Sequence, residues 1–302
     1  MANLQYYLFY YLLILPLSRL PFFLLYLISD FLFLVLYYLF PYRRKVVFTN
    51  LKNSFPEKTT QQLVEIERKF YRHLCDLIVE SLKAFTISKE QARKRMKHIN
   101  PEVLNRFFDE GKNVVMVGGH YCNWELFAVT IDQEIKHQSV ALYTSFKNKF
   151  LNQKMLESRS RFGLKMLPFQ DIKQRLSECN ACPSVTIFGA DQSPRKSQRA
   201  YWMEFLNQDT GVQYGTEKFA RDYDMPVVQG NIYKVKRGYY EVVYTLLTEH
   251  PCQTEYGEIT TMYTRFLEKV IQKQPEYWLW SHKRWKHKRP EVLAEKSPVE
   301  GC

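Results

Sequence analysis

The sequence predicts an α/β fold: a mixed, largely parallel sheet flanked by helices, with an apolar helix or hairpin at the N-terminus. Three observations carry this. From Asn113 onward, short apolar runs of strand length alternate with stretches of helix length. Before them, residues 60–85 place Leu63, Ile66, Phe70, Leu74, Leu77, Ile78, Leu82 and Phe85 at helical spacing. Before both, residues 4–40 are almost entirely Leu, Phe, Tyr and Ile.

The apolar segment comes first. The chain has 302 residues and 46% hydrophobic residues, yet its mean hydropathy is −0.37. That average excludes a polytopic membrane protein and concentrates the apolar residues locally. Residues 4–15 are followed by Pro16, Arg19 and Pro21, and residues 22–40 are interrupted only by Ser29 and Asp30. One unbroken helix would be ~55 Å long at ~1.5 Å per residue, against a hydrocarbon core of ~30 Å. Either residues 22–40 cross alone or a kinked hairpin enters and returns. Tyr6, Tyr7, Tyr10, Tyr11, Tyr37 and Tyr38 suit the interface at the ends, and Arg43, Arg44 and Lys45 place the polar bulk on the cytoplasmic side. No basic leader or small-residue cleavage site accompanies the run, which disfavours a cleaved signal peptide.

The helix over residues 60–85 is read as packing, joining this segment to the domain behind it. Strands are then expected at NVVMVG, SVALYT, LKMLP, SVTIFG, PVVQGNIY and YYEVVYTLL, the last two joined by a turn at Arg237-Gly238. Helices are expected over residues 124–135, 149–162, 171–178, 215–223 and 256–274. The organisation is an anchor at 1–45, one domain at 46–290 and a polar tail at 291–302.

The formal net charge is +12, which calls for anionic partners. The apolar segment favours lipid over nucleic acid, for which no motif is present. Six cysteines form no disulfide framework. Cys179 and Cys182 make a single C-x-x-C that lacks the rest of a zinc site. No metal or cofactor is expected.

GGHYCNWE runs directly off the NVVMV strand, and functional groups in open α/β sheets gather at the carboxyl ends of strands. His120 follows two glycines, and Glu125 lies five residues on. A carboxylate folded back on an imidazole fixes its tautomer and stabilises the imidazolium. A neutral His is then a general base suited to an alcohol. A core histidine beside an unrelated helix-start glutamate is the competing reading.

GGHYCNWE resembles the His-x4-Asp/Glu motif of glycerolipid and lipid A acyltransferases. Other blocks, in order, are similar to the late acyltransferases of lipid A biosynthesis, the lauroyl/myristoyl transferase family: YRRKVVFTNLKNSFPE, LYTSFKNKFLN, SRSRFG, GADQSPRKSQRAYWMEFLNQDTGVQYGTEKFARDYDMPVV and PEYWLWSHKRWKHKRP. The resemblance covers nearly the whole chain and implies a glycerolipid-acyltransferase-like fold with 46–290 as the acyltransferase domain. It implies that His120 is the base and Glu125 its orienting partner. The donor would be an acyl carrier protein thioester and the acceptor a hydroxyl of an anionic lipid A precursor. The site would lie on the cytoplasmic face of a Gram-negative inner membrane. Asp191 matches the family's central Asp and would help order the site. Arg159 and Arg161 match a basic block that can face phosphates or the carrier. The family places a basic residue directly after Tyr143, where this chain has Thr144; Lys147 lies near enough to compensate. Another acceptor, an amino lipid or glycerolipid, or a carrier- or lipid-binding protein without turnover, are the rival functions.

Trp278, Trp280 and Trp285 lie among His282, Lys283, Arg284, Lys286, His287, Lys288 and Arg289. That mixture suits an anionic membrane surface; a basic end that packs its tryptophans inward is the alternative.

Overall fold

The computed structural model describes residues 2–172 and 182–291. A seven-stranded sheet has the order β1-β9-β8-β2-β5-β3-β4. Its strands are β1 (Met96–His98), β2 (Val114–Gly118), β3 (Gln138–Tyr143), β4 (Lys165–Pro168), β5 (Ser184–Gly189), β8 (Val227–Lys236) and β9 (Tyr239–Thr248). All neighbours are parallel except the β8–β9 hairpin. The mixed, largely parallel sheet read from the sequence is present.

β2 sits at the centre and is apolar on both faces. Val114 and Met116 enter one core and Val115 and Val117 the other, as the two-residue period of a strand requires. Burying each such side chain is worth roughly 1.5–3 kcal/mol. The helices cover both faces: α4 (Arg44–Ser54), α5 (Thr60–Ala84), α6 (Lys89–Arg95), α7 (Glu102–Asp109), α8 (Trp124–Thr130), α9 (Lys149–Arg159), α10 (Gly215–Asp222) and α11 (Glu258–Lys273). The longest, α5, starts in a capping box. Thr59 Oγ1 accepts from Gln62 N, and Gln62 Oε1 accepts from Thr59 N, a device worth about 0.5–2 kcal/mol.

The apolar segment forms two helical pieces. The first contains α1 (Ala2–Phe9) and α2 (Leu15–Arg19) and ends at Leu20-Pro21, where the backbone is extended. The second begins with α3 (Phe22–Leu34) and runs on to Leu39. Phe22–Leu39 is long and apolar enough to cross a membrane. Leu25, Ser29, Phe33 and Tyr37 form a stripe, four residues apart, that is buried against the domain, while Phe23, Leu27, Phe31 and Leu34 are exposed.

Three features were not legible beforehand. β1 is a three-residue edge strand, too short to show a pattern. β6 (Ala200–Phe205) and β7 (Gln208–Gln213) form a separate antiparallel hairpin. Its turn residues Leu206 and Asn207 both have positive φ, so a type I′-like geometry occurs without the Asn-Gly or Asp-Gly that announces it. Helices α4, α6 and α7 have no counterpart among the expected elements. The expected helix over 124–135 ends earlier, at Thr130, and continues as one 3-10 turn. The expected helix at 171–178 and Cys179 lie largely outside the described residues. Cys182 is a free, exposed thiol.

Candidate active site

The site grows from two paired strand ends. Gly118 of β2 and Gly189 of β5 are register partners, and Ala190 N donates to Gly118 O at 3.0 Å. Beyond them the strands diverge, and His120 and Asp191 emerge side by side. A side chain at Gly189 would bring its Cβ to 3.1 Å from His120 Cε1, and one at Gly119 would meet Leu267 at 3.2 Å and Asp191 at 3.4 Å. The glycines therefore admit the imidazole and the carboxylate.

The turn after His120 is held from outside. Tyr121 bridges antiparallel to Trp278, Cys122 N donates to Tyr277 O at 3.0 Å, and Cys122 takes a positive φ of 55°. Asn123 then caps α8, its side chain accepting from Leu126 N at 2.8 Å.

Asp191 is the partner of His120. Its Oδ1 lies 2.6 Å from His120 Nδ1, while Oδ2 accepts His120 N at 2.8 Å and Trp278 Nε1 at 2.9 Å. An ionised carboxylate only accepts, so Nδ1 carries the hydrogen and Nε2 is left as an acceptor. The Gln192 side-chain amide lies 3.3 Å from that Nε2. Burial works against the imidazolium, but the Asp191 carboxylate outweighs it, and the His120 pKa is raised above its ordinary 6.5. Burial likewise pushes the Asp191 carboxyl up, but the His120 charge and the three hydrogen bonds hold it down at about 2. Behind Asp191, the buried Arg284 donates to Gly211 O at 2.8 Å. Burial lowers its pKa to about 10, so it remains a cation at neutral pH and helps keep a buried carboxylate ionised. A cavity of about 10 Å³ between these groups is lined by Gly119, Asp191, Gln229, Thr264 and Arg284; an acyl chain cannot enter it. His120, with a quarter of its side chain exposed, is the member of the pair that a substrate can reach.

Glu125 does not occupy the position expected of it. Its carboxylate is gripped by Arg159, with Nε to Oε2 at 2.9 Å and Nη2 to Oε1 at 2.5 Å, and Trp124 Nε1 donates to it at 3.2 Å. The reason is geometric. Cys122 turns the chain so that α8 carries Glu125 toward α9, while the His120 ring faces the end of β5. Glu125 still favours the charged imidazole through space, and Arg159 opposes it.

Of the residues singled out in the sequence, His120 and Asp191 come together, and Glu125 and Arg159 form a second pair beside them. Arg161 reaches back to Ala84 O at 3.3 Å. Lys147 is exposed in the loop before α9. Arg195 donates to Thr144 Oγ1 at 3.1 Å, bringing a guanidinium to the position where the family pattern would have a basic residue. Gln192 and Arg284 had no signal of their own; their only clue was proximity to Asp191 and to the tryptophans.

The aromatic, basic end also differs from its surface reading. Trp278 and Trp280 are buried. Trp280 Nε1 donates to Pro275 O at 2.6 Å, Trp285 Nε1 to Thr210 Oγ1 at 2.7 Å, and His282 Nε2 accepts from Ser193 N at 3.0 Å. Indoles with a donor to satisfy pack inward where a partner waits. Lys283, Lys286 and Lys288 stay exposed.

In a comparison with known families, residues 1–287 fit the family described as Bacterial lipid A biosynthesis acyltransferase. No curated protein matches the chain.

Proposed function

The chain belongs to the bacterial lipid A biosynthesis acyltransferase family, and we propose that it moves a fatty acyl chain from an acyl carrier protein thioester to a hydroxyl of a lipid A precursor. Residues 1–45 hold it at the cytoplasmic face of the inner membrane, and 46–290 carry the reaction. The observation that supports this most directly is the His120–Asp191 pair, which leaves Nε2 as the accepting nitrogen, with the Gln192 amide 3.3 Å away.

In the proposed reaction Nε2 takes the hydroxyl proton as the oxygen attacks the thioester carbonyl. The tetrahedral intermediate then collapses, the carbon–sulfur bond breaks, and the imidazolium returns the proton to the leaving thiolate. Asp191 keeps the Nδ1 hydrogen in place and stabilises the transient cation. General-base catalysis of this kind contributes ~10²–10⁴-fold. Glu125 and Arg159 stiffen the wall beside the imidazole. Arg159, Arg161, Lys147 and Arg195 supply positive charge toward the phosphates of the acceptor and the acidic surface of a carrier.

The test is thiol release by the purified protein from an acyl carrier thioester, with and without acceptor lipid, alongside mass spectrometry of the lipid. Acceptor-dependent thiol release with an added acyl mass supports the reading. Release without lipid acylation, or no consumption with any acceptor lipid, contradicts it.

A further inference from the structure

Glu80 is a buried acidic side chain on the long helix α5, bonded to the residue that opens α8 three positions after His120. Its Oε2 accepts from Asn123 Nδ2 at 2.6 Å and from Tyr240 OH at 2.8 Å; its Oε1 accepts from Tyr26 OH at 2.9 Å. These donors come from the residue that starts α8, from strand β9, and from the apolar helix α3. One turn earlier on α5, Asp76 accepts from Ser29 Oγ at 2.8 Å and from Arg237 Nη2 at 2.7 Å, and Arg237 also pairs with Asp30 at 2.7 Å. The two polar interruptions of the apolar run are thus spent on docking α3 to the domain.

We propose that Glu80 is a positioning residue for the active site, coupling α3 through Tyr26 to Asn123 and so fixing where the His120 turn and Glu125 stand. Asn123 is committed at both ends. Its Oδ1 caps Leu126 N, so its amide nitrogen must find an acceptor, and in a fully buried position the Glu80 carboxylate supplies it. Without that acceptor the cap loses its orientation. A helix start that shifts by about 1 Å is enough to lower turnover ~10²-fold without removing any reacting group. The coupling also gives Phe22–Leu39 a second task besides meeting lipid: its seat on the domain bears on the site.

The chemistry distinguishes positioning from packing. In Glu80→Gln the amide oxygen can keep the Asn123 and Tyr240 bonds, and the new NH2 meets Tyr26 OH, which can accept. Glu80→Leu fills similar space but accepts nothing. The experiment uses the full chain in detergent with anionic lipid. Hydrogen exchange is read over residues 120–131, with residues 259–271 as control, beside initial rates at varied thioester. Glu80→Leu should speed exchange over 120–131 by about tenfold and lower kcat by about tenfold or more, with KM within about twofold. Glu80→Gln should restore both, and Tyr26→Phe should speed exchange over 120–131 by less than Glu80→Leu. If Glu80→Leu does not fold, Asn123→Ser replaces it, since it keeps a capping oxygen and removes the side-chain amide nitrogen that reaches Glu80; the same changes are expected. Unchanged exchange over 120–131 in Glu80→Leu or Asn123→Ser, or no rescue by Gln, overturns the positioning role; unchanged exchange in Tyr26→Phe overturns the coupling to α3. The kinetic arm rests on the acyl-transfer reading, but the exchange arm does not: an inactive wild type with the predicted exchange pattern would contradict the function and support the coupling.

Discussion

His120 and Asp191 each stand two residues beyond a glycine, and those glycines, Gly118 and Gly189, face each other in register on neighbouring parallel strands. The sheet's own hydrogen bonding therefore sets the spacing of the pair. Asp191 then meets His120 twice, through its backbone N–H and through Nδ1.

This arrangement makes Asp191→Asn a severe substitution. Two donors, His120 N–H and Trp278 Nε1, converge on Oδ2. They would hold the Asn oxygen there and turn its NH2 toward Nδ1. The imidazole hydrogen would move to Nε2, the wrong tautomer for a base. Turnover should fall by ~10²–10⁴-fold in protein that still melts cooperatively, as initial rates and thermal melting will show.

The pH dependence follows from the same pair. As the proposed base His120 must be neutral to act, and its pKa is raised above 6.5, so kcat/KM should rise through an acid limb centred above pH 6.5. In Asp191→Asn the burial effect remains and the opposing charge is gone, so the limb should move downward. For stability, the raised histidine contributes fully below 6.5 and its contribution fades as pH rises through the folded value. The depressed Asp191 carboxyl contributes above 3.8 and loses this as pH falls toward about 2. The melting-temperature gap between wild type and Asp191→Asn should therefore be widest between pH 3.8 and 6.5 and narrow as pH rises through the folded pKa of His120.

Glu125 and Arg159 should behave as one unit. Arg159→Lys keeps the charge but loses the two-pronged grip, and Glu125→Gln loses the charge. Each should lower turnover by roughly tenfold, less than Asp191→Asn. The double variant should be little worse than either single one, with a coupling of about 0.5–3 kcal/mol in a double-mutant cycle.

Membrane attachment should map to one face of Phe22–Leu39. Full-length protein should sediment with membranes and need detergent for release. Phe23→Glu with Leu27→Glu and Phe31→Glu should free it without unfolding, because those side chains are exposed. Leu25→Glu should instead unfold it by burying a charge. Wild-type protein recovered in a high-salt soluble fraction would contradict the assignment.

Much of the fold was legible because β2, β5, β8 and β9 are apolar runs of strand length and the helices between them keep their period. The β6–β7 hairpin was hidden because its turn uses Leu206-Asn207. In the site, His120, Asp191, Glu125 and Arg159 were all recognisable, but their pairing was not. Sequence distance favoured Glu125 for His120, whereas the β2–β5 register brings in Asp191 from 71 residues away. Trp278 was misread for a similar reason: an indole among lysines looks superficial until its partner, Asp191, is placed beside it.

The most direct test is the initial rate of acyl transfer by purified His120→Ala, with thermal melting to confirm the fold. The account predicts a loss of ~10²-fold or more, no smaller than that of Asp191→Asn and not additive with it. Near wild-type turnover in well-folded His120→Ala would contradict it.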